Sequence, residues 1–277
     1  MRRRHVLLGL GAAGTVGVAG VASTLVGTIK LRWWATERAA LYPGLRERVE
    51  SYVERAFESL RISVDVSFGG TVSFRTENAY RLVVDGTWPR RLLTGTSGRR
   101  FDAVDGVNLL VTDGSMRNAP TGAGIPYVAA VGGAAEIVRA PPAEATDVVV
   151  PDRFSLRTIQ VLLHECGHAL GLRHDHGTIR TEEGAAIVSP MVSGYPWAPA
   201  AVRRAQFDYE ESRCGDPYPP VRGKKPRLLL RFDECARTEL ARFRRPTGRP
   251  LPSESDGETD QSLSPAATCL RPCDAHR

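Results

Sequence analysis

The sequence predicts an α+β domain, in which helices and strands follow one another in blocks and do not alternate regularly. Three observations carry this expectation. Residues 44–60 repeat apolar side chains at helical spacing, short apolar runs punctuate the chain between 62 and 150, and a second long helical segment extends from about Ser155 to Leu172.

The first helix is read from Leu45, Val49, Tyr52 or Val53, Ala56 and Leu60, with charged residues on the opposite face. Directly after it, Ile62, Val64, Val66 and Phe68 alternate with Ser63, Asp65 and Ser67, the period of a half-buried strand. Apolar runs at 79–84, 107–112, 126–131 and 147–150 are bounded by Gly, Pro, Asn and Asp and read as further strands. Residues 199–212 read as the last helix of the domain. Beyond 212 the composition changes. Pro217, Pro219 and Pro220 interrupt the chain, a basic stretch runs from Arg222 to Arg231, and a helix is expected at about 231–244. Residues 246–268, rich in Pro, Ser, Gly and Thr, are expected to be disordered. The expected organisation is therefore an N-terminal segment at 1–30, a main domain at 36–212 and a basic, cysteine-containing extension at 213–277.

The N-terminal segment has a chemical character of its own. Arg2, Arg3 and Arg4 precede a stretch without Asp, Glu, Lys or Arg from His5 to Ile29. A basic region followed by an apolar one reads as an export signal, and the adjacent arginines allow the twin-arginine route. Gly20-Val21-Ala22 suits cleavage. The alternative is an uncleaved anchor over residues 6–29, with Trp33 and Trp34 at the far membrane interface. The formal charge of +6 in 277 residues owes three charges to those arginines. That balance excludes a nucleic-acid partner as the leading reading, since no basic stripe interleaved with aromatics accompanies it. Of five cysteines, Cys214, Cys235, Cys269 and Cys273 permit three pairings in an oxidising compartment. Cys166 is left over and reads as a buried thiol.

The chemistry is concentrated at 164–175, His-Glu-Cys-Gly-His-Ala-Leu-Gly-Leu-Arg-His-Asp. Residues four apart on a helix lie on one face, so His164 and His168 can present two imidazoles to one metal ion. Glu165 sits beside the first ligand, where a carboxylate reaches a metal-bound water and acts as general base. His174 is too far along for the same face. The chain must leave the helix and turn back, and Gly171 permits the positive φ that such a turn requires. Three neutral histidines leave a fourth position open, the arrangement of a catalytic zinc site.

These residues match H-E-x-x-H-x-x-G-x-x-H, and here the sequence resembles the metzincin superfamily of zinc peptidases. Leu170-Gly171-Leu172 looks matrixin-like and Asp175 looks adamalysin-like, so the branch stays unassigned. The resemblance implies a metzincin-like catalytic domain with a mixed twisted sheet, an active-site helix and a Met-turn subdomain. It implies Zn2+ as cofactor and a substrate cleft between the two parts. Ser189 to Tyr195 looks like the Met-turn, with Met191 beneath the metal. Tyr195 is a candidate contact to substrate or transition state, though it stands four residues after the methionine, and packing is its alternative role. Residues 125–133 look like the cleft's edge strand, ready to pair with an extended substrate. The 176–188 loop has no reading in this scheme.

The expected activity is hydrolysis of peptide bonds in extended protein substrates by a monomeric, exported enzyme, secreted or anchored to the outer face of the membrane. The alternative from another class is a zinc-bearing extracellular binding module without catalysis. A third is a surface protein that uses its basic C-terminal segment. Removing 213–277 is expected to spare cleavage if the core stays folded.

Overall fold

The computed structural model describes residues 28–95 and 101–243. Its centre is a strand that the sequence reading missed. β1 (Ile29–Thr36) pairs in parallel with β2 (Val64–Val72) on one side and with β3 (Gly106–Val111) on the other. Ile29, Leu31, Trp33 and Ala35 enter the main core, whereas Trp34 enters a smaller cluster on the opposite face of the sheet. Trp33 and Trp34 are each 1% exposed, so they are core residues and not membrane-interface anchors. The domain thus begins before residue 36. The N-terminal leader lies outside the described residues except for its last three. Among the described residues no helix is long and apolar enough to cross a membrane.

The first sheet has the order β2-β1-β3-β5-β4, where β4 is Gly122–Ile125 and β5 is Val128–Val131. β3 and β5 are parallel, and β4 returns antiparallel along the edge. The expected edge strand at 125–133 is mostly β5, which is internal, and the edge is β4 before it. The reversal is the two-residue turn Pro126-Tyr127, with Tyr127 at φ 70°. Helix α1 (Leu45–Glu58) crosses between β1 and β2 and buries Leu45, Val49, Tyr52, Val53, Ala56 and Phe57, close to the expected face.

The run at 79–84 forms a helix, α2 (Ala79–Val84), where a strand was expected. The Asn78 side chain caps it by accepting from the Arg81 amide at 3.0 Å. Ala79, Leu82 and Val83 then fall on one buried face, which a short apolar run permits as readily as a strand does. With α3 (Thr87–Thr94) it covers the outer face of the sheet, where Trp34 meets Trp88 at 5.2 Å between ring centroids. On the inner face, α4 (Ala134–Arg139) precedes β6 (Val149–Pro151) and α5 (Phe154–Ala169), the long helix of the sequence motif.

The 176–188 segment is a hairpin, β7 (Ile179–Glu182) and β8 (Ala185–Val188), turned at Glu183 and Gly184 with φ 46° and 78°. It joins a second sheet of order β6-β9-β8-β7 through β9 (Lys225–Leu229). The expected final helix at 199–212 is confined to α6 (Ala200–Gln206), because the backbone extends at Phe207 and buries its ring.

The chain beyond 212 is part of this core, not an appendage. β9 pairs with β6 and β8, and α7 (Glu234–Phe243) buries Ala236 and Leu240. The Phe232 ring lies 4.9 Å from Phe57, and its amide donates to the Ala56 carbonyl at 2.9 Å. Cys214 and Cys235 form a disulfide, and Cys166 is buried and free. Cys269, Cys273 and the tract expected to be disordered lie outside the described residues.

Burial of a large apolar side chain contributes about 1.5–3 kcal/mol. Leu228, Leu230, Phe232 and Leu240 together approach the whole stability of a domain, about 5–15 kcal/mol. Deleting 213–277 is therefore expected to abolish cooperative thermal unfolding monitored by circular dichroism. A truncated chain that melts cooperatively would show this segment to be dispensable.

Candidate metal centre

α5 buries Leu156, Ile159, Leu162, Leu163 and Cys166 on its core side. Burial pushes the Cys166 thiol up, as does the neighbouring Glu165 carboxylate. The helix ends in a Schellman cap, where the Leu172 amide donates to the Gly167 carbonyl at 2.9 Å and the Gly171 amide donates to His168 at 3.0 Å. Gly171 takes φ 82°, as the cap requires. This cap turns the chain back, so that His174 returns to the face presented by His164 and His168.

The His168 Nε2 lies 3.0 Å from the His164 Nε2 and 3.1 Å from the His174 Nε2. The opposite ring nitrogens face backbone carbonyls. His164 Nδ1 is 2.8 Å from the Pro190 oxygen, His168 Nδ1 is 2.8 Å from the Leu172 oxygen, and His174 Nδ1 bonds the Gln206 oxygen. A carbonyl can only accept, so every Nδ1 must carry the proton and every Nε2 must offer a lone pair. Three acceptors at this separation cannot satisfy one another; a cation among them can. Burial lowers all three histidines, His174 to about 4, which keeps the rings neutral as ligands must be. The donor set therefore fits a metal ion.

Glu165 is buried beside these rings, and desolvation pushes its carboxyl up to about 8. It faces the edge strand β4 at very close range. A Cβ on Gly122 would stand 2.9 Å from Glu165 Oε1, and one on Gly124 would stand 2.6 Å from the His168 Cβ. Glycine at these two positions lets strand and helix touch. Composition and periodicity do not reveal this role, but Gly122-Ala123-Gly124 in so short a strand is the visible signal. The three backbone carbonyls that orient the histidines leave no signal in the sequence at all.

Beneath the helix, the tight turn Ser189–Ser193 places Met191, 1% exposed, under Gly167. A Cβ on Gly167 would lie 2.3 Å from the Met191 Sδ. Tyr195 follows the turn, its ring 4.6 Å from His174 and 5.9 Å from His164. Burial raises its hydroxyl, with Glu165 adding to the effect. Every candidate site residue of the motif region is thus gathered at one place.

No family model matches the chain, and no curated protein matches it. Among solved structures, the archaemetzincin of Methanopyrus kandleri is 17% identical, with a TM-score of 0.39 over 78% of this chain and 95% of that one. The likeness is loose, and it supports neither the matrixin nor the adamalysin branch.

Two glycines under the site make separable predictions. Gly167→Ala forces the Met191 thioether to shift and is expected to destabilise by about 1–3 kcal/mol. Gly171→Ala meets nothing within 4 Å, and its expected cost of about 1–2 kcal/mol comes from the left-handed backbone alone. Denaturant unfolding measures both. A double variant should be close to additive if the two causes are independent.

Proposed function

We propose that this chain is a zinc-dependent metalloendopeptidase of metzincin type. The observation that carries the reading is the convergence of three carbonyl-oriented imidazoles beside a buried carboxylate, Glu165, and an edge strand. His164, His168 and His174 would hold the ion. Bound there, zinc would acidify water and polarise the scissile carbonyl.

The protein's own groups do the rest. Glu165 takes a proton from the attacking water and returns it to the leaving nitrogen, which departs as a neutral amine. Tyr195, with its ring against His174, donates its hydroxyl hydrogen to the oxygen that gains charge. Met191 supports the helix from below, in the role of a Met-turn methionine. The substrate lies along β4. Gly132 donates to the Thr121 carbonyl, so Thr121, Ala123 and Ile125 spend their backbone bonds on β5 and its continuation. By alternation, Gly122 and Gly124 turn their amides and carbonyls to the open side, where an extended peptide can add as a strand. Export of the enzyme is supported by the basic-then-apolar leader and by the Cys214–Cys235 bond.

The test is cleavage of an unstructured protein by the full chain, with and without a chelator. Cleavage is expected to require metal. Glu165→Ala is expected to retain zinc and lower the rate by about 10²–10⁴. Activity within tenfold of wild type in that variant would sink the assignment. One bound zinc with no cleavage of any substrate would favour the binding module instead.

A further inference from the structure

His164 and His168 are fixed by α5, but His174 rides on the loop between that helix and β7. Beyond the pairing of Thr178 with Ser189, this loop is held by two later segments. On one side stands the 206–218 stretch. The Gln206 carbonyl accepts from His174 Nδ1, the Arg213 amide donates to the Asp175 carbonyl at 2.7 Å, and the Tyr218 hydroxyl donates to the Gly177 carbonyl at 2.8 Å. Side chains reinforce this, with Arg213 Nη1 3.7 Å from Asp175 Oδ2 and Arg173 donating to the Tyr209 hydroxyl at 3.3 Å. On the other side stands the start of α7. Asp233 accepts from the Thr178 hydroxyl at 2.7 Å, and Glu239 lies 4.0 Å from His176 Nε2.

The two holders are joined at one point. Cys214 directly follows Arg213, Cys235 comes two residues after Asp233, and the two sulfurs are bonded across 21 residues of chain. The two ligands on α5 are carried by the helix itself and oriented by the Pro190 and Leu172 carbonyls. We propose that the Cys214–Cys235 disulfide positions the third ligand, His174, and so makes retention of the metal depend on the redox state of this pair.

The inference rests on the metal-site reading above. Reduction breaks the S–S bond and gives two thiols, with a phosphine reductant and water becoming phosphine oxide. The holders then separate, the loop loosens, and a three-imidazole site falls towards a two-imidazole one. Loss of groups that orient a ligand typically weakens metal binding by about 10- to 100-fold.

The experiment uses the full chain loaded with zinc and kept folded well below its melting temperature. A phosphine reduces the disulfide, and peptide mapping of labelled thiols verifies that Cys214 and Cys235 are free. A chromophoric indicator then reads the zinc dissociation constant, and hydrogen exchange reads the amides of His176, Gly177 and Thr178. The His176 and Gly177 amides are bonded within the loop, to the Arg173 and His174 carbonyls, and the Thr178 amide to the Ser189 hydroxyl beyond β8. The expected result is a 10- to 100-fold weaker zinc complex and faster exchange at 176–178, with α5 and β3 amides unchanged. Val49→Ala, a core change in α1 far from the loop, is the control for general destabilisation. Equal zinc affinity and equal exchange before and after reduction would overturn the proposal, as would an equal loss of affinity in the control. If the oxidised protein binds no zinc, the metal reading falls, and the exchange measurement still decides whether the disulfide holds the loop. Cys214→Ser with Cys235→Ser repeats the comparison without a reductant.

Discussion

Three imidazole nitrogens that can only accept are held face to face, and the rest of the molecule can be understood from what that requires. Each ring is locked in one tautomer by a backbone carbonyl from a different place: the helix cap at Leu172, the turn at Pro190 and the end of α6 at Gln206. Lone pairs crowded to about 3 Å repel one another unless a cation sits among them. An arrangement so unfavourable when empty persists only if the surrounding structure is rigid enough to hold it.

That rigidity comes from two directions. The first sheet is anchored by β1, whose neighbours are parallel on both sides and whose two tryptophans are buried on opposite faces. The second sheet is closed by β9, a strand contributed after every motif residue has passed. α5 lies between them. Gln160 ties it to two strands of the second sheet, donating to the Val188 carbonyl of β8 and the Leu229 carbonyl of β9. Glycines at 122, 124 and 167 let β4 and Met191 approach the helix where any side chain would push them away.

The region after residue 212 is the clearest case in which local reading and folded structure part. Its prolines, basic residues and late position read as an extension. In the fold its apolar residues at 228–232 pack on α1 and α5, and its disulfide spans the two supports of the His174 loop. Short apolar stretches carry little information about their partners, because a strand such as β9 is defined by the neighbours it pairs with. The same cause explains 79–84. Its apolar run suits a strand or a helix, and the Asn78 cap together with the face offered by Trp34 and Trp88 selects the helix.

By itself the sequence determined the chemistry of the centre: two histidines on one helical face, a carboxylate beside them and a glycine that reverses the chain to a third. Those relations are local, set by helix pitch and by the φ that only glycine adopts easily. It also determined α1, β2 and β3, whose periodicities are long or strongly apolar. Only the tertiary structure decided which strand lies at the edge beside Glu165, which carbonyls orient each imidazole, and that β1 and the segment at 225–243 belong to the same core. Apart from Leu172, four residues from His168, those are contacts between residues distant in the chain, 26 positions for His164 and Pro190 and 173 for Ser59 and Phe232. A backbone carbonyl has the same chemistry whatever side chain it carries, so no residue letter marks it.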